Sequence, residues 1–274
     1  MTLNCKGQLV DLSSPKVMGI LNITPDSFYD GGIYKNEKDI LLHVEKMLEE
    51  GATFIDIGAY SSKPNAEHVS EADELARILP ITKLILKEFP NALLSIDTFR
   101  SEIAKVCIEA GAAIINDISA GKLDKNMMPT IAELHVPYIM MHMKGTPQTM
   151  QQQTEYEHLT KDIIFYFSER LSEAKKLGIV DMIIDPGFGF AKTLDQNFEL
   201  LNQLELLKML DKPLLVGLSR KSMIYKTLET NPSEALNGTT VLNTIALQKG
   251  ASILRVHDVK EAVECIKLME SLSC

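Results

Sequence analysis

Several polar and charged side chains come at the ends of short apolar runs, at positions where a buried strand would finish. They are Asn22, Asp56, Asp97, Asn116, Asp117, His142, Asp185, Ser219, Arg220, Lys221, Ser222, Arg255 and His257. Acidic and amide groups follow the second, third, fourth and sixth runs, and cationic groups follow the seventh and eighth. A buried carboxylate is unfavourable without partners, so four aspartates at such positions indicate a functional site.

The types of these residues indicate the chemistry of a ligand. An ionised carboxylate only accepts hydrogen bonds, so aspartates that face a flat ligand suit the adjacent N–H donors of an aminopyrimidine-like edge. Asp185 precedes Pro-Gly-Phe-Gly-Phe (186–190). The two glycines of this stretch would let the backbone approach a flat ligand closely, and the two phenylalanines would flank it. Lys221 and Ser222 open a predicted helix, whose free N–H groups favour an anion.

Arg255 and His257 follow the last predicted strand, where many barrels hold phosphate. The alternative is a surface ion pair between Arg255 and Asp258. Phosphate binding is favoured because Arg255 and His257 alternate out of a strand on one side. The residues alone therefore predict a ligand with a heteroaromatic amine edge at one end and phosphate at the other.

A structural role competes with a functional one for four of these residues. Asp56 lies inside a strand and is interpreted as a member of a network that holds a neighbouring loop. Asp117 is interpreted as a cap of the loop that follows it. Asp97 could instead cap the start of the helix near Ser101. His142 lies between two methionines, which favours a structural role in the core over a catalytic role.

Short apolar runs alternate with longer helical patterns from residue 17 onward, as parallel strands joined by helices do. The predicted strands are 17–21, 54–57, 93–96, 113–115, 137–141, 181–184, 214–217 and 252–255. The predicted helices are 37–50, 70–88, 101–110, 127–134, 156–176, 196–206, 235–249 and 260–271.

Eight such units predict an α/β fold, a single (β/α)8 TIM barrel with a short N-terminal β-hairpin around Lys6-Gly7. The length of 274 residues fits one barrel, which typically needs about 250. A doubly wound open sheet is the alternative, but that fold usually has a Gly-rich phosphate turn after its first strand. The first turn here is Asn-Ile-Thr-Pro-Asp (22–26), and no linker divides the chain, so one domain over residues 1–274 is predicted.

The first strand is followed by a long loop that contains Asn22, Asp26, Phe28, Asp30 and a Gly-Gly pair (31–32). Strand-to-helix connections usually need about 2–6 residues, whereas the next helical pattern here starts near residue 36. A binding loop and a surface Ω-loop are both open on this evidence.

Composition narrows the class of protein. The chain is 45% hydrophobic and 24% charged, which is ordinary for a globular enzyme. A formal charge of -9 argues against nucleic acid as a partner. The four cysteines show no paired spacing, which argues against a disulfide framework and against a zinc site. The first residues lack the apolar core of a signal peptide, and no apolar run is long enough to cross a membrane. We therefore predict a cytoplasmic protein with no membrane partner.

The motifs of this chain resemble the signatures of the dihydropteroate synthase family. They are LNITPDSF (21–28) with DGG (30–32), IND (115–117), MHMKGTP (141–147), DPGFGF (185–190), GLSRKS (217–222) and RVHD (255–258). Together they cover nearly the whole chain in the family's order and spacing.

The resemblance implies condensation of 6-hydroxymethyl-7,8-dihydropterin diphosphate with p-aminobenzoate, giving 7,8-dihydropteroate and diphosphate in folate synthesis, on a barrel that is usually dimeric. It implies pterin binding by Asp97, Asn116, Asp185 and Lys221. It implies that the diphosphate is contacted by Asn22, which would also contact Mg²⁺, and by Arg255 and His257. It places the p-aminobenzoate side, where sulfonamides bind, at Phe28, Ser62, Phe190, Ser219 and Ser222.

One stretch departs from the family pattern. The family usually has Glu-Ser-Thr-Arg-Pro-Gly after the second strand, and this chain has YSSKPN (60–65). Ser62 keeps the hydroxyl of threonine, whereas Lys63 keeps a charge without the planar guanidinium geometry. The departure concerns the ligand contacts of the second loop and not the reaction.

A dissociative path is expected, in which diphosphate leaves before the amine attacks, with Asp97, Asp185, Lys221 and Asn22 as the catalytic residues. Three other hypotheses remain open. A pterin-binding methyltransferase would have no use for the RVH stretch (255–257), and a non-catalytic pterin carrier would release no diphosphate. A barrel lyase that acts on a sugar phosphate would normally present a lysine for Schiff-base chemistry from inside a strand, whereas Lys221 lies past one.

Overall fold

The structure is a computed structural model that describes residues 1–23, 37–60 and 69–272. Its strands are β1 (Thr2–Cys5), β2 (Gln8–Asp11), β3 (Lys16–Asn22), β4 (Phe54–Gly58), β5 (Leu93–Asp97), β6 (Ile114–Asp117), β7 (Tyr138–Met141), β8 (Met182–Asp185), β9 (Leu215–Val216) and β10 (Ile253–Val256). Its α-helices are α1 (Glu37–Glu49), α2 (Glu71–Glu88), α3 (Ser101–Glu109), α4 (Met127–Leu134), α5 (Leu159–Lys176), α6 (Leu194–Asn202), α7 (Ser222–Thr227), α8 (Leu236–Gln248) and α9 (Val259–Ser271). Short 3-10 helices cover Met150–Gln152, Leu204–Leu210 and Pro232–Glu234.

The main sheet has eight parallel strands in the order β8-β7-β6-β5-β4-β3-β10-β9. Its two ends meet, because Ile184 at the β8 edge forms an isolated parallel bridge with Leu214. The backbone N–H of Ile184 also donates to the carbonyl of Pro213 at 3.0 Å. The sheet is thus nearly closed into a barrel surrounded by helices. The predicted TIM barrel is confirmed, and the doubly wound alternative is wrong.

The lower interior of the barrel is apolar. One buried cluster takes a residue from each of the eight strands, and only the inside of a closed sheet brings such residues together; they are Met18, Phe54, Leu93, Ile114, Ile139, Ile183, Leu215 and Ile253. Side chains alternate between the two faces of a strand. Two residues further along their strands the same face therefore carries Asp56, Ser95, Asn116, Asp185 and Arg255. The interior changes from apolar to polar toward the carboxyl ends of the strands.

The predicted N-terminal hairpin is confirmed, since β1 and β2 pair antiparallel. Leu3, Cys5 and Val10 are buried and belong to the apolar interior cluster of the barrel. The backbone N–H of Asn4 also donates to the Asp181 carboxylate at 3.0 Å. The hairpin therefore covers the amino-terminal end of the barrel, and the opposite end is left for the polar residues.

Two helices, α5 and α6, differ from the prediction by more than one residue at an end. Thr193 and Gln196 form a capping box, in which the Thr193 side chain accepts from the Gln196 backbone N–H. This starts α6 at Leu194, and the predicted continuation to residue 206 is instead 3-10 helix. The helix predicted from residue 156 begins at Leu159 as α5. Tyr156 precedes it, and its hydroxyl donates to the carbonyl of Ala191 at 2.8 Å.

Among the described residues, no helix is both long enough and apolar enough to span a membrane.

Candidate active site

Arg255 joins two aspartates from different strands inside the barrel. Its Nε donates to Oδ2 of Asp56 at 2.6 Å, and its Nη2 donates to Oδ2 of Asp97 at 2.8 Å. The parallel register pairs Asp56 with Ser95, so Asp97 lies one layer higher and a single guanidinium spans both carboxylates. These carboxylates raise the pKa of Arg255 above its usual range, so it remains charged.

Asn116 extends this network to a third strand. Its Nδ2 donates to Oδ2 of Asp56 at 3.1 Å, and the register places Asn116 beside Asp97. Burial, with the nearby carboxylates Asp56 and Glu74, raises the pKa of Asp97 to about 7 although Arg255 opposes the shift. The interpretation of Asp56 as a network residue agrees with these contacts.

Asp185 and Lys221 form a second pair, and the charge of each favours the ionised form of the other. Asp185 is 7% exposed, and its carboxylate accepts from the backbone N–H of Gly187 at 2.8 Å. Lys221 donates from Nζ to the carbonyl of Phe188 at 2.5 Å and lies 4.6 Å from the centre of the Phe190 ring. Burial lowers the pKa of Lys221 to about 8, while the charges of Asp185 and Asp97 favour its ionised form.

These side chains lie close enough together for their charges to act on one another. Burial raises the pKa of Asp185, and the charges of Lys221 and Arg255 oppose this shift. The charges of Asp185, Arg255 and Asp97 all act on Lys221. The structure thus brings together the predicted residues of the third, sixth, seventh and eighth units. The arrangement offers carboxylate acceptors and two cations to one ligand.

His257 is paired with Ser219 at the end of β10. Oγ of Ser219 lies 3.0 Å from Nδ1 of His257 and also accepts from the His257 backbone N–H at 3.2 Å. Burial and the charges of Arg220 and Arg255 lower the pKa of His257 to about 4. At neutral pH the imidazole is therefore uncharged, and His257 would contact an anion through a hydrogen bond and not through a positive charge.

The remaining predicted residues are distributed around the same mouth. Asn22 is exposed at the end of β3, and its Oδ1 lies 3.6 Å from the position that a Cβ on Gly58 would occupy. Phe190 is partly buried, and Ser222 is the first residue of α7. Phe28 and Ser62 lie outside the described residues.

Two polar residues prove to be structural. Asp117 accepts from the Tyr138 hydroxyl at 2.6 Å and from the backbone N–H groups of Ser119 and Gly121, each at 2.7 Å. Since Tyr138 belongs to the cluster between the sheet and the helices, Asp117 points away from the barrel interior. The interpretation of Asp117 as a loop cap is confirmed. His142 is 2% exposed and, as expected of a core histidine, has a buried partner in Lys192.

Two alternatives considered from the sequence are not realised. Asp97 does not cap α3, because the backbone N–H of Ser101 donates to Asp124 at 2.8 Å. Asp258 does not pair with Arg255. Its carboxylate accepts instead from Nε and Nη2 of Arg220 at 3.1 and 2.5 Å.

Lys192 and Arg100 were not found by inspection of the sequence. Lys192 is buried behind the Asp185 loop, and the only signal was a lysine between a glycine-rich stretch and a helix cap. Arg100 is 8% exposed, forms an ion pair with Glu74 at 2.5 Å and donates to the carbonyl of Val69 at 2.6 Å. Its guanidinium also lies 5.5 Å from the centre of the Tyr60 ring. Arg100 therefore contacts residues on both sides of the second loop.

No group of three or more histidine, cysteine, aspartate or glutamate side chains with metal-binding geometry occurs within the ranges 1–23, 37–60 and 69–272. A carboxylate cage for a metal is therefore not formed by the residues that the structure describes. Asn22 is the one residue that was predicted from the sequence to contact a metal, and it lies within these ranges.

Comparison with known proteins places this barrel in a family. Residues 18–257 match the family described as pterin binding enzyme. The chain is 41% identical to the dihydropteroate synthase of Escherichia coli strain K12 over 273 residues, covering 99% of this chain and 96% of that protein. The fold and these matches define a pterin-binding barrel enzyme.

Solved structures agree with this classification. The Yersinia pestis dihydropteroate synthase in complex with a sulfonamide drug has a TM-score of 0.94 and 41% identity, covering 100% of this chain and 99% of that chain. The Xanthomonas albilineans dihydropteroate synthase with 4-aminobenzoic acid has a TM-score of 0.92 and 35% identity, covering 100% and 98%. The chain therefore belongs to the dihydropteroate synthase family, and it is a transferase of folate biosynthesis.

Proposed function

We propose that this chain condenses 6-hydroxymethyl-7,8-dihydropterin diphosphate with p-aminobenzoate, giving 7,8-dihydropteroate and diphosphate. Family membership supports the reaction. The observation that carries the proposal is the interacting group of Asp97, Asn116, Asp185, Lys221 and Arg255 at the carboxyl ends of the strands.

The pterin ring is the part of the substrate that suits the carboxylate side of the cavity. Asp97 and Asp185 offer acceptors to the ring N–H and amino groups, and Lys221 offers a donor. The amide of Asn116 is oriented by its bond to Asp56, which leaves its oxygen as a further acceptor. This pattern of acceptors and donors matches the edge of an aminopyrimidine ring.

The diphosphate would lie beside Arg255 and His257. Arg255 is held by two carboxylates, so its charge is fixed in position before substrate arrives. Fixed charges of this kind stabilise a leaving group without reorganising during the reaction. His257 would add a hydrogen bond from its neutral ring.

Asn22 is the proposed protein contact for Mg²⁺. Mg²⁺ prefers oxygen ligands and is commonly held by one or two protein groups together with substrate phosphates and water. The exposed amide of Asn22, on the side of Gly58 where Asp97 also lies, fits such a role. When bound, the ion would neutralise charge on the diphosphate.

The p-aminobenzoate side is proposed to include Phe190, Ser219 and Ser222, together with Phe28 and Ser62 in the two loops outside the described residues. Phe190 presents a ring under Lys221, which suits a flat aromatic acid. Ser219 is 6% exposed and has a hydroxyl already engaged with His257, so its contribution would be to position His257.

A dissociative path agrees with this arrangement. Arg255 would favour departure of the diphosphate, and the electron-rich pterin would delocalise the positive charge left on its methylene carbon. Asp97 and Asp185, both close to the ring, would stabilise that spread charge electrostatically. The aromatic amine is neutral at pH 7 and carries its own lone pair, so it needs no strong base before it attacks.

A homodimer is the proposed assembly. Exposed aliphatic side chains occur on the neighbouring helices α8 and α9, with Val241 at 50% and Leu268 at 70% exposure. Large exposed aliphatic side chains favour burial against a second copy of the chain. Sedimentation velocity of the wild type and of Leu268→Glu tests this, and a monomeric wild type would contradict it.

Release of diphosphate tests the reaction and separates it from the other hypotheses. The protein is incubated with the pterin diphosphate and Mg²⁺, with and without p-aminobenzoate, and diphosphate and pteroate are measured. Stoichiometric formation of both supports the proposal. A carrier would bind the pterin and release nothing, and a methyltransferase would leave the diphosphate ester intact.

The timing of bond cleavage is tested by soaking crystals with the pterin diphosphate alone. Separate pterin and diphosphate in the cavity support the dissociative path. An intact ester that persists until the amine is added supports a concerted displacement instead.

A further inference from the structure

Lys192 is a buried lysine with a complete set of hydrogen-bond partners. It is 4% exposed, and its Nζ contacts the carbonyl of Gly187 at 2.8 Å, the carbonyl of Phe190 at 3.0 Å and Nδ1 of His142 at 3.1 Å. An ammonium group has three N–H donors, so these three acceptors satisfy it. A buried lysine is unusual unless it is paired, which indicates that this one has a specific role.

The segment that Lys192 holds is the loop 186–190 after β8. Gly187 and Gly189 both have positive φ, 70° and 82°, a conformation that other residues adopt at a cost. The loop also presses on the end of β7, because a Cβ on Gly187 would come within 2.2 Å of the His142 carbonyl. Without Lys192, the buried carbonyl of Gly187 and the partly buried carbonyl of Phe190 would lose a charged donor.

The same loop positions two residues of the pterin site from its other side. The backbone N–H of Gly187 donates to Asp185, and the carbonyl of Phe188 accepts from Lys221. The peptide groups of the loop therefore alternate between Lys192 behind it and the site residues in front. A shift of the loop would move the Asp185 hydrogen bond and the Lys221 ammonium together.

Lys192 also contributes charge. Its ammonium favours the ionised form of Asp185. Burial lowers the pKa of Lys192 to about 7, and the charged groups that act on it are Asp185, Lys221 and Lys144. The adjoining His142 has a pKa well below its usual range, so the imidazole stays neutral and accepts from the ammonium.

We propose that Lys192 is a positioning residue for the pterin site, holding the 186–190 loop so that Asp185 and Lys221 meet the pterin ring. The inference rests on the proposed function for the identity of the ligand. It predicts that loss of Lys192 affects the pterin substrate specifically and changes the pH range over which the pterin binds.

Three variants test this role. Lys192→Met removes both the donors and the charge, Lys192→Arg keeps the charge in a different shape, and Lys122→Met is the control. Lys122 is a neighbouring, exposed lysine that lies 4.3 Å from the centre of the Tyr166 ring and acts on His142. The charges that act most on Asp185 are those of Lys221, Arg255 and Lys192, and not that of Lys122.

The measurements are KM and kcat for each substrate, direct binding of the pterin diphosphate by calorimetry between pH 5.5 and pH 8.5, and Tm without ligand. Lys192→Met should raise the KM for the pterin diphosphate about tenfold or more, as misplacement of a binding group does, with the KM for p-aminobenzoate within about twofold. Its pterin binding should be lost on acidification at a higher pH than in the wild type, because Asp185 has lost a favourable charge. Lys192→Arg should restore this pH limit while its pterin KM stays raised, and Lys122→Met should match the wild type.

Two results would overturn the proposal. One is a Lys192→Met protein that binds the pterin with wild-type affinity and wild-type pH limit. The other is an equal rise in KM for both substrates, which would indicate a general loss of structure. If Lys192→Met does not fold, the Lys192→Arg protein decides, and a wild-type pterin KM in that variant would also overturn the proposal. Binding is measured independently of turnover, so a wild type that binds pterin but makes no pteroate would refute the proposed function and not this inference.

Discussion

Nη2 of Arg255 donates to Oδ2 of Asp97 across 2.8 Å, although the two residues are 158 positions apart in the chain. Nε of the same guanidinium binds Asp56, which is fully buried. One cation thus compensates two carboxylates in the interior of the barrel. This pairing both stabilises the fold and fixes charge beside the proposed substrate, so its removal has consequences for each.

Arg255→Met should lower the free energy of unfolding by about 3–5 kcal/mol, because removing one partner of a buried ion pair leaves uncompensated charge. Urea denaturation at pH 7.5 measures the loss. Arg220→Met is the matched control, since the Arg220–Asp258 pair is more exposed and should contribute about 1 kcal/mol or less. Equal losses in the two variants would contradict the buried role of Arg255. Asp97→Asn in the Arg255→Met background should recover part of the loss.

Pterin binding should release a proton near pH 6.5. The pKa of Asp97 is raised to about 7, so in the free protein at this pH the carboxyl is partly protonated. A ligand that donates N–H groups favours the carboxylate, which lowers this pKa on binding and expels the proton. Calorimetry in two buffers of different ionisation enthalpy measures the release. Asp97→Asn should abolish this component, and pterin affinity in the wild type should rise from pH 6 to pH 8; an affinity that is flat over this range would refute the assignment.

Gly187→Ala and Gly178→Ala form a matched pair of substitutions. Both glycines have positive φ, 70° and 85°, but a Cβ on Gly178 would meet nothing within 4 Å, whereas one on Gly187 would meet the His142 carbonyl at 2.2 Å. Gly178→Ala should lower stability by about 1–2 kcal/mol from backbone strain alone and keep activity. Gly187→Ala should in addition lower kcat/KM for the pterin by about 100-fold, since the loop must move. Comparable kinetics in the two variants would show that the close approach is unimportant.

Tyr138→Phe should lower the free energy of unfolding by about 2 kcal/mol, because a buried hydrogen bond to a carboxylate is lost. The Tyr138 hydroxyl donates to Asp117 at 2.6 Å on the outer side of the sheet. Since neither residue faces the barrel interior, kcat/KM for both substrates should stay within about twofold of the wild type under conditions where the variant is folded. Thermal unfolding and steady-state kinetics measure the two quantities. A loss of activity without a loss of stability would place Asp117 in the active site after all.

Asn22→Ala should raise the Mg²⁺ concentration needed for half-maximal activity by about tenfold, as expected when one ligand of a site completed by substrate phosphates is lost. Titration of activity with Mg²⁺ at fixed pterin diphosphate measures it. Asn22→Asp keeps an oxygen donor and adds charge, so it should require no more Mg²⁺ than the wild type. An unchanged Mg²⁺ requirement in Asn22→Ala would remove Asn22 from the metal site.

Much of the site was predictable because strand ends and the alternation of side chains are local properties of the sequence. Asp185, for instance, follows an apolar run and precedes a glycine-rich stretch, and both features are visible without coordinates. The motifs then identified the family. The capping box at Thr193 is equally local, and it sets the start of α6 two residues before the position that helical periodicity predicts.

The partners of the charged residues were not predictable in this way. From the sequence, Asp258 was the one ion-pair partner considered for Arg255, as the alternative to phosphate binding. The closed sheet instead pairs Arg255 with Asp56 and Asp97, and Asp258 pairs with Arg220. Lys192 gave almost no signal, because its acceptors are carbonyl groups whose direction depends on the path of the loop.

The sequence by itself determined the fold class, the family and the polar residues that end the strands, since all of these follow from short-range patterns and motifs. Only the tertiary structure decided which of these residues share the cavity, which point outward as Asp117 does, and which are neutral as His257 is. The physical reason is that pairing and pKa depend on distance and burial, and closure of the barrel sets both between residues far apart in the chain.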